Sequence, residues 1–366
     1  MIRTLIGAIL LALLQACAHD PRVELSQKQF GLMPDGRPVD EFTLALPGQL
    51  SVKLISLGGI VTSITMPDRE GKEEDIVLGF ATLPSYLAGH PYFGCITGRV
   101  ANRIANGRCT VEGKELVLAR NNNAHHLHGG ERGFDKQLWA GARFRDERGA
   151  GVVFTRRSPH GEEGYPGNLD CEVRYLLTTK GDLEIHYEAV TDKPTLVNLT
   201  HHSYFALQGR GNGDVLDQEL MLRAGRYTPG GPELVPNGAI ANVAGTPFDF
   251  ADYRRIGERI EAAGGYDLNY ALDHEGRGVE LAAVLLHRKN GRSLEVWTDQ
   301  PGLQLYTGNF LDGSLRDGPH VYGKHAGVCL EAQRFPDAPH HPHFPSLLLR
   351  PGETYRQTTI YKFRNR

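Results

Sequence analysis

The chain has little charge of either sign to spare. Its 40 Lys and Arg against 43 Asp and Glu leave a formal net charge of -3, far too small a field to collect nucleic acid or an anionic membrane surface. A neutral partner is expected. No G-x-S-x-G turn is present, which argues against a serine hydrolase. The glycine-rich GRGNGD at Gly209 is followed by no helix carrying a phosphate-binding lysine, which argues against a nucleotide site. Neither a Ser/Pro-rich linker, a charge run nor a fixed-period repeat divides the chain, so a single domain over residues 23–366 is expected. Cysteines are few: Cys17 near the start, then Cys95, Cys109, Cys171 and Cys329. Their separations match no metal-ligand spacing, and small buried hydrophobes are the expected role. Were the last four oxidised, three pairings would be open.

Long apolar runs are also scarce. The one near the start, Leu5 to Leu14 behind Arg3, is shorter than the ~20 residues that span a membrane. It reads as an export signal over residues 1–19. Leu14-Gln15-Ala16-Cys17 resembles a lipobox that would leave a lipid on Cys17, and Ala16-Cys17-Ala18 fits ordinary signal peptidase. Either processing places the domain outside the cytoplasm, in a bacterial periplasm: the first with a lipid on Cys17 as its one membrane contact, the second as a soluble protein that has lost Cys17.

What is abundant is period-two alternation. Leu183, Ile185, Tyr187 and Ala189 alternate with Asp182, Glu184, His186 and Glu188; Tyr355, Gln357, Thr359, Tyr361 and Phe363 alternate with Arg356, Thr358 and Lys362. Such runs are half-buried strands, and Gly, Pro, Asn and Asp clusters at Leu46, Met66 and Arg350 supply the turns between them. Only Phe250 to Ala263, with Ile256 and Ile260 one turn apart, predicts a helix of a few turns. The expected fold is a large antiparallel β-sandwich.

Two polar insertions in apolar surroundings carry chemistry. NLTHHSYF, Asn198 to Phe205, crowds Asn198, Thr200, His201, His202, Ser203 and Tyr204 into one segment, and Glu331 stands alone in GVCLEAQ. Burying such groups unpaired costs ~1 to 3 kcal/mol each, whereas a cleft lined for hydroxyls gives them partners. A histidine and a carboxylate across one pocket can share proton transfer. The sequon Asn198-Leu199-Thr200 falls in the same strand and is expected to be accidental. In HHLHGGERGFDK, His126 and His128 would share a face if extended, but no third convergent ligand is identifiable, so no metal is expected. The His-Gly-Gly step reads as a tight turn letting backbone approach a ligand. HHPHF, His340 to Phe344, is broken and flanked by proline and reads as an irregular loop with exposed histidines. GRVANRIANG offers Asn102 and Arg103, a guanidinium fork suited to paired oxygens or to a salt bridge, and GYDLNY adds Asp267 and Asn269.

In order along the chain, GRVANRIANG, LHGGERGFDK, NLTHHSYFAL, GYDLNY, QPGLQLYTGNFLDG and GVCLEAQRFPDAPHHPHFP with LLLRPGETY resemble the aldose 1-epimerase (galactose mutarotase) family. The resemblance covers nearly everything after Val23. It implies a galactose-mutarotase-type β-sandwich that interconverts the anomers of a free monosaccharide without metal or organic cofactor. His202 would protonate the ring oxygen and Glu331 would take the proton from the C1 hydroxyl. Asn102, Arg103, His128, Tyr204, Asp267 and Gln304 would bind the sugar, with His128 near the reacting oxygen. One departure is His201, where relatives often carry Asn; alternation would turn it away from the pocket. Two other readings stay open at this point: a phosphorylated-hexose epimerase, which would need cations over the pocket, and a periplasmic sugar-binding sandwich, which would need no acid-base pair.

Overall fold

The alternating runs become strands in a computed structural model that describes residues 22–274 and 278–366. The strands Asp182–Thr191 and Tyr355–Asn365 pair antiparallel, with Ile185 opposite Thr359. Leu183, Ile185, Tyr187, Tyr355, Tyr361 and Phe363 turn inward and are buried, while Glu188 and Arg356 are exposed, as a pleat with one wet face requires. They are the middle of a nine-stranded antiparallel sheet. On one side of them lie Leu169–Thr178, Gly149–Ser158 and Ala140–Asp146; on the other lie Arg292–Thr298, Glu280–Leu286, Glu219–Leu222 and the edge pair Arg254–Arg255.

Two five-stranded antiparallel sheets complete the sandwich. The first runs from Glu24–Leu32 through Glu73–Asp75. The second is built from Ala241–Asn242, Arg226–Thr228, Asp267–Ala271, Gly302–Tyr306 and Cys329–Gln333, in that spatial order. Phe42 and Leu54 of the first, Leu303, Leu305 and Leu330 of the second, and Phe154, Tyr175, Ile185 and Val296 of the large sheet belong to one continuous core. At ~1.5–3 kcal/mol for each large apolar side chain fully buried, this core is what holds the layers together.

The segment Phe250 to Ala263 departs from the expected helix. Arg254–Arg255 is a strand paired with Glu219 and Leu220, Ile256–Glu258 is a 3-10 turn, and only Ile260–Ala263 is α-helical, closed by Gly264 at φ 69°. Backbone pairing to the sheet edge wins: Ile256 N–H donates to the Gln218 carbonyl and Gly257 N–H to that of Leu216. Ile256 and Ile260 are buried as their spacing suggested, but from two short pieces.

Other expectations sort in the same way. Cys95, Cys109, Cys171 and Cys329 are all free thiols and all buried. Asn198 is fully buried, its side chain bonded to the backbone of Arg334, so the sequon is inaccessible. In the proline-flanked loop His340 and His343 are exposed, but His341 is half-buried because it reaches Asp337 and the Pro236 carbonyl. The export segment and Cys17 lie outside the described residues.

Candidate active site

The outward face of the second five-stranded sheet is polar where its other face is core. In Asp267–Ala271, Leu268 and Tyr270 pack inward while Asp267 and Asn269 face the opposite way; Leu303 and Leu305 alternate with Gln304 and Tyr306, and Leu330 and Ala332 with Cys329 and Glu331. Register then aligns them. Thr228 is opposite Asn269, Asn269 opposite Gln304, and Gln304 opposite Glu331, so four polar side chains form one row across four strands. Four segments far apart in the chain become one surface.

His202 is delivered from the side. Thr200–His201 pairs with Ile96–Thr97, and the His202 N–H donates to the Cys95 carbonyl. His201 faces the core as expected, bonded to Ser203 and packed against Tyr175 and Tyr361. His202 faces the cleft, and its Nε2 lies 3.5 Å from Glu331 Oε1, the two side chains being 5% and 2% exposed. Tyr204 lays its ring against His202 and spends its hydroxyl on the Pro91 carbonyl, 2.9 Å away, so what it offers the cleft is a ring face.

His128 does not share a face with His126. It adopts φ 50°, which breaks the alternation, and its ring lies 5.1 Å from that of His202. His126 is bonded instead to the Ala119 carbonyl and the Tyr165 hydroxyl. The first of the glycines that follow serves a backbone approach, though not to a ligand: a Cβ on Gly129 would lie 1.7 Å from the Gly98 carbonyl oxygen, while one on Gly130 would meet the Glu163 carboxyl. Asn102, at φ 59°, donates its backbone N–H to Nδ1 of His128 at 3.1 Å. Arg103 is buried and donates through Nε to Asn122.

Burial sets the protonation of the site. It pushes His202 down to about 4 and His128 well below its ordinary value, so both imidazoles are neutral. Burial also raises Glu331 well above the usual carboxylate range, with the Asp267 charge adding and the Arg103 charge opposing. Asp267 is raised too, for the same reason, against Arg103 and a 2.7 Å hydrogen bond from Gln304. A histidine pushed down and a carboxyl pushed up from their ordinary values are brought together for exchanging one proton.

His128, His202 and Glu331 bring three groups that ligate zinc elsewhere within 4.8 Å of one another. The hydrogen bonds count against a cation here. Because Nδ1 of His128 accepts the Asn102 N–H, its proton sits on Nε2, where no lone pair is left to give.

Beside these groups opens a cleft of about 320 Å³, bounded by Asn102, Asp267, Asn269, Gln304 and Phe310, with the Gly230-Gly231 loop across it. No Lys or Arg lines it. Asn269 Oδ1, Gln304 Oε1 and Glu331 Oε2 are buried acceptors without a protein donor, an arrangement that suits a ligand rich in hydroxyls. A larger groove, about 530 Å³, lies on the outer face of the nine-stranded sheet among Arg156, Arg157, Asp170 and Glu188; it contains no buried acid-base pair. Sequence reasoning missed Tyr92, whose ring is 4.5 Å from His128 and 5.7 Å from His202, and Phe310 at the cleft mouth. Both sit in loops, where no periodicity marks a side chain's direction.

Comparison with known proteins agrees with this geometry. The model of the family described as aldose 1-epimerase matches residues 40–362. A galactose mutarotase of Rattus norvegicus is 47% identical over 93% of this chain and 99% of its own length. An aldose 1-epimerase of Escherichia coli is 36% identical over 91% and 97%. Among solved structures, a galactose 1-epimerase from Lactobacillus acidophilus superposes with a TM-score of 0.82 at 28% identity, covering 94% of this chain and 99% of that one. With the fold, the ordered blocks and the buried histidine-carboxylate pair in agreement, the chain belongs to the aldose 1-epimerase family of isomerases.

Proposed function

We propose that this protein interconverts the α and β anomers of free aldohexoses such as galactose and glucose, with His202 and Glu331 as the acid-base pair. The observation that carries the reading is their 3.5 Å approach in a nearly closed pocket. In the productive complex Nε2 of His202 gives its proton to the ring oxygen as the C1–O5 bond breaks, and Glu331 takes the proton of the C1 hydroxyl as the C1 carbonyl forms. The pair ends as neutral imidazole and neutral carboxylic acid, the form that burial favours. Rotation about C1–C2 presents the other carbonyl face, and the same two transfers in reverse close the ring to the opposite anomer. Before ring opening the proton of the pair crosses the 3.5 Å gap from Oε1 of Glu331 to Nε2 of His202, and the reverse transfers of ring closure leave it there, so the cycle balances.

Asn102, Arg103, Asp267, Gln304 and the Nε2–H of His128 hold the hydroxyls, and the rings of Tyr204 and Tyr92 wall the reacting carbon. General acid and general base each contribute typically ~10² to 10⁴-fold. Optical rotation of freshly dissolved α-D-galactose and α-D-glucose, followed with chelator present, tests the assignment. Wild type should speed equilibration, while His202→Ala and Glu331→Gln should each lose ~10²-fold or more of kcat. Full activity in Glu331→Gln would falsify the assignment. A phosphorylated sugar is not favoured, because it would need a cluster of cations, and Arg103 is the one cation among the groups proposed to hold the sugar while no Lys or Arg lines the cleft beside them.

We further propose that residues 1–19 direct export and that Cys17 receives a lipid, from the Arg3, Leu5–Leu14 and Leu14–Cys17 pattern. Fatty-acid labelling of the wild-type chain and of Cys17→Ala in a bacterial host tests this. Label on the wild type alone supports a lipoprotein; an unlabelled, shortened chain supports ordinary cleavage, and an unlabelled full-length chain removes both.

A further inference from the structure

His128 and His202 meet edge to face, their planes at 79°, and their Nδ1 atoms have partners of opposite kind. At His128 the partner is a backbone N–H, which can only donate. At His202 it is the thiol of Cys329, 3.6 Å from Nδ1. Cys329 is fully buried, and burial raises its thiol well above the ordinary value, with Glu331 and Asp267 adding to the effect. The sulfur therefore stays S–H, a group that can donate weakly or accept weakly.

The far side of the ring decides which. There Nε2 faces Glu331 at 3.5 Å, and in the proposed chemistry it is the nitrogen that gives up its proton. The neutral ring therefore keeps its hydrogen on Nδ1, directed at sulfur 3.6 Å away. Alternation puts Cys329 and Glu331 on the same face of one strand, so that strand supplies the partner of each ring nitrogen. The other groups around the ring are His128, Tyr92 and Tyr204, with the cations Arg103 and Lys136 behind them: Arg103 acts on His128, and Lys136 lies over the Tyr92 ring. Among the described residues, only the thiol of Cys329 is a side-chain partner of His202 Nδ1.

We propose that Cys329 is a positioning residue that holds His202 in the Nδ1–H tautomer, opposite to the Nε2–H tautomer of His128, so that the proton enters and leaves His202 only at Nε2. The choice of sulfur has a physical reason. A carboxylate at this place would fix the same tautomer but attract the imidazolium, raising its pKa and weakening it as an acid. An apolar side chain would leave a buried N–H without an acceptor, at a cost of ~1–3 kcal/mol, and would release the ring to the other tautomer. The thiol orients the ring while adding little to its basicity.

This inference rests on His202 being the proton-transfer group, and the test separates the two. The ¹⁵N ring shifts of His202 and His128 are read in the wild type, C329V and C329S, with kcat, KM, the pH profile of kcat and Tm for each. Wild type should show a protonated Nδ1 on His202 and a protonated Nε2 on His128. C329V, similar in volume and without a polar atom, should mix the His202 tautomers and lower kcat about three- to ten-fold, as expected for one weak hydrogen bond, with a shifted pH profile and little change in KM. C329S should keep Nδ1–H and recover most of the rate. A wild-type His202 protonated at Nε2, a C329V with wild-type tautomer and rate, or a C329S as slow as C329V overturns the proposal. Should C329V fail to fold, the wild-type spectrum still decides. An active His202→Ala enzyme would instead remove the acid-base reading, leaving the tautomer measurement to stand or fall alone.

Discussion

Gln304 stands directly opposite Glu331 on the neighbouring antiparallel strand, and its amide reaches back 2.7 Å to the carboxyl of Asp267. One side chain thus fixes the Asp267 carboxyl on the polar face that also carries Glu331. Burial raises both carboxyls, the Asp267 charge adds to the rise at Glu331, and the Gln304 amide is a neutral donor that favours the ionised form of Asp267.

Replacing Gln304 with Ala should therefore raise the Asp267 pKa further and weaken its hold on a sugar hydroxyl. A rise in KM of about ten-fold, the size of one charge-assisted hydrogen bond, with a smaller fall in kcat, is the expected result of progress curves by polarimetry. A variant with unchanged KM and a kcat lowered to the level of Glu331→Gln would show that Gln304 acts on the chemistry instead.

His201 predicts a pH effect on stability. Burial between Tyr175 and Tyr361 pushes its pKa to about 3, while the unfolded chain takes up that proton near ~6.5. The unfolded state binds more protons throughout the window, so stability falls as pH falls from 6.5 toward 3, by up to ~1.4 kcal/mol per unit. His201→Gln lacks this term. The destabilisation it causes should be smaller at pH 5 than at pH 7.5 by up to ~2 kcal/mol, read from urea midpoints of both proteins; an equal difference at the two pH values would contradict it.

Phe310 is 72% exposed and lies 6.0 Å from Tyr306 in a stacked arrangement at the mouth of the cleft. An exposed aromatic costs the fold little to lose, yet its ring can cover one face of a bound sugar. Phe310→Ala should raise KM about two- to ten-fold, the ~0.5–1.5 kcal/mol of one aromatic contact, with kcat and Tm nearly unchanged. A Tm lowered by several degrees at constant KM would assign Phe310 to packing.

Gly129 is the severe case. At φ 91° with the Gly98 carbonyl where a Cβ would stand, Gly129→Ala must displace the backbone beside His128. Soluble expression or Tm should drop markedly, and any folded fraction should have lost activity, since His128 moves with the turn. Wild-type Tm would mean that the turn is freer than its contacts indicate.

How much of this was legible beforehand follows from what kind of residue each feature depends on. Strand identity, the mainly antiparallel β class and the inward sets of Asp182–Thr191 and Tyr355–Asn365 are written in period-two alternation, because one face of a pleat is dry and the other wet. Glu331 is legible as a lone acid in an apolar run and Asp267 as part of a short polar insertion, whereas Gln304 is reached only through the family resemblance. The helix expected at Phe250 to Ala263 failed because Arg254 and Arg255 have a strand edge to pair with, information held by Glu219 and Leu220 and not by the segment itself.

The sequence by itself determined which side chains are polar among apolar neighbours, and the ordered blocks that carry the family resemblance. Only the tertiary structure decided how they meet. Register sets Gln304 against Glu331 from separate strands, a left-handed residue turns His128 from the face of His126 toward His202, and the loop of Tyr92 closes beside them. Alternation fixes the side of a strand on which a residue lies, because it is a property of the backbone pleat. The distance between two strands, the turn of a loop and the desolvation that moves a pKa are set by whatever packs against them, and that is chosen by the whole core.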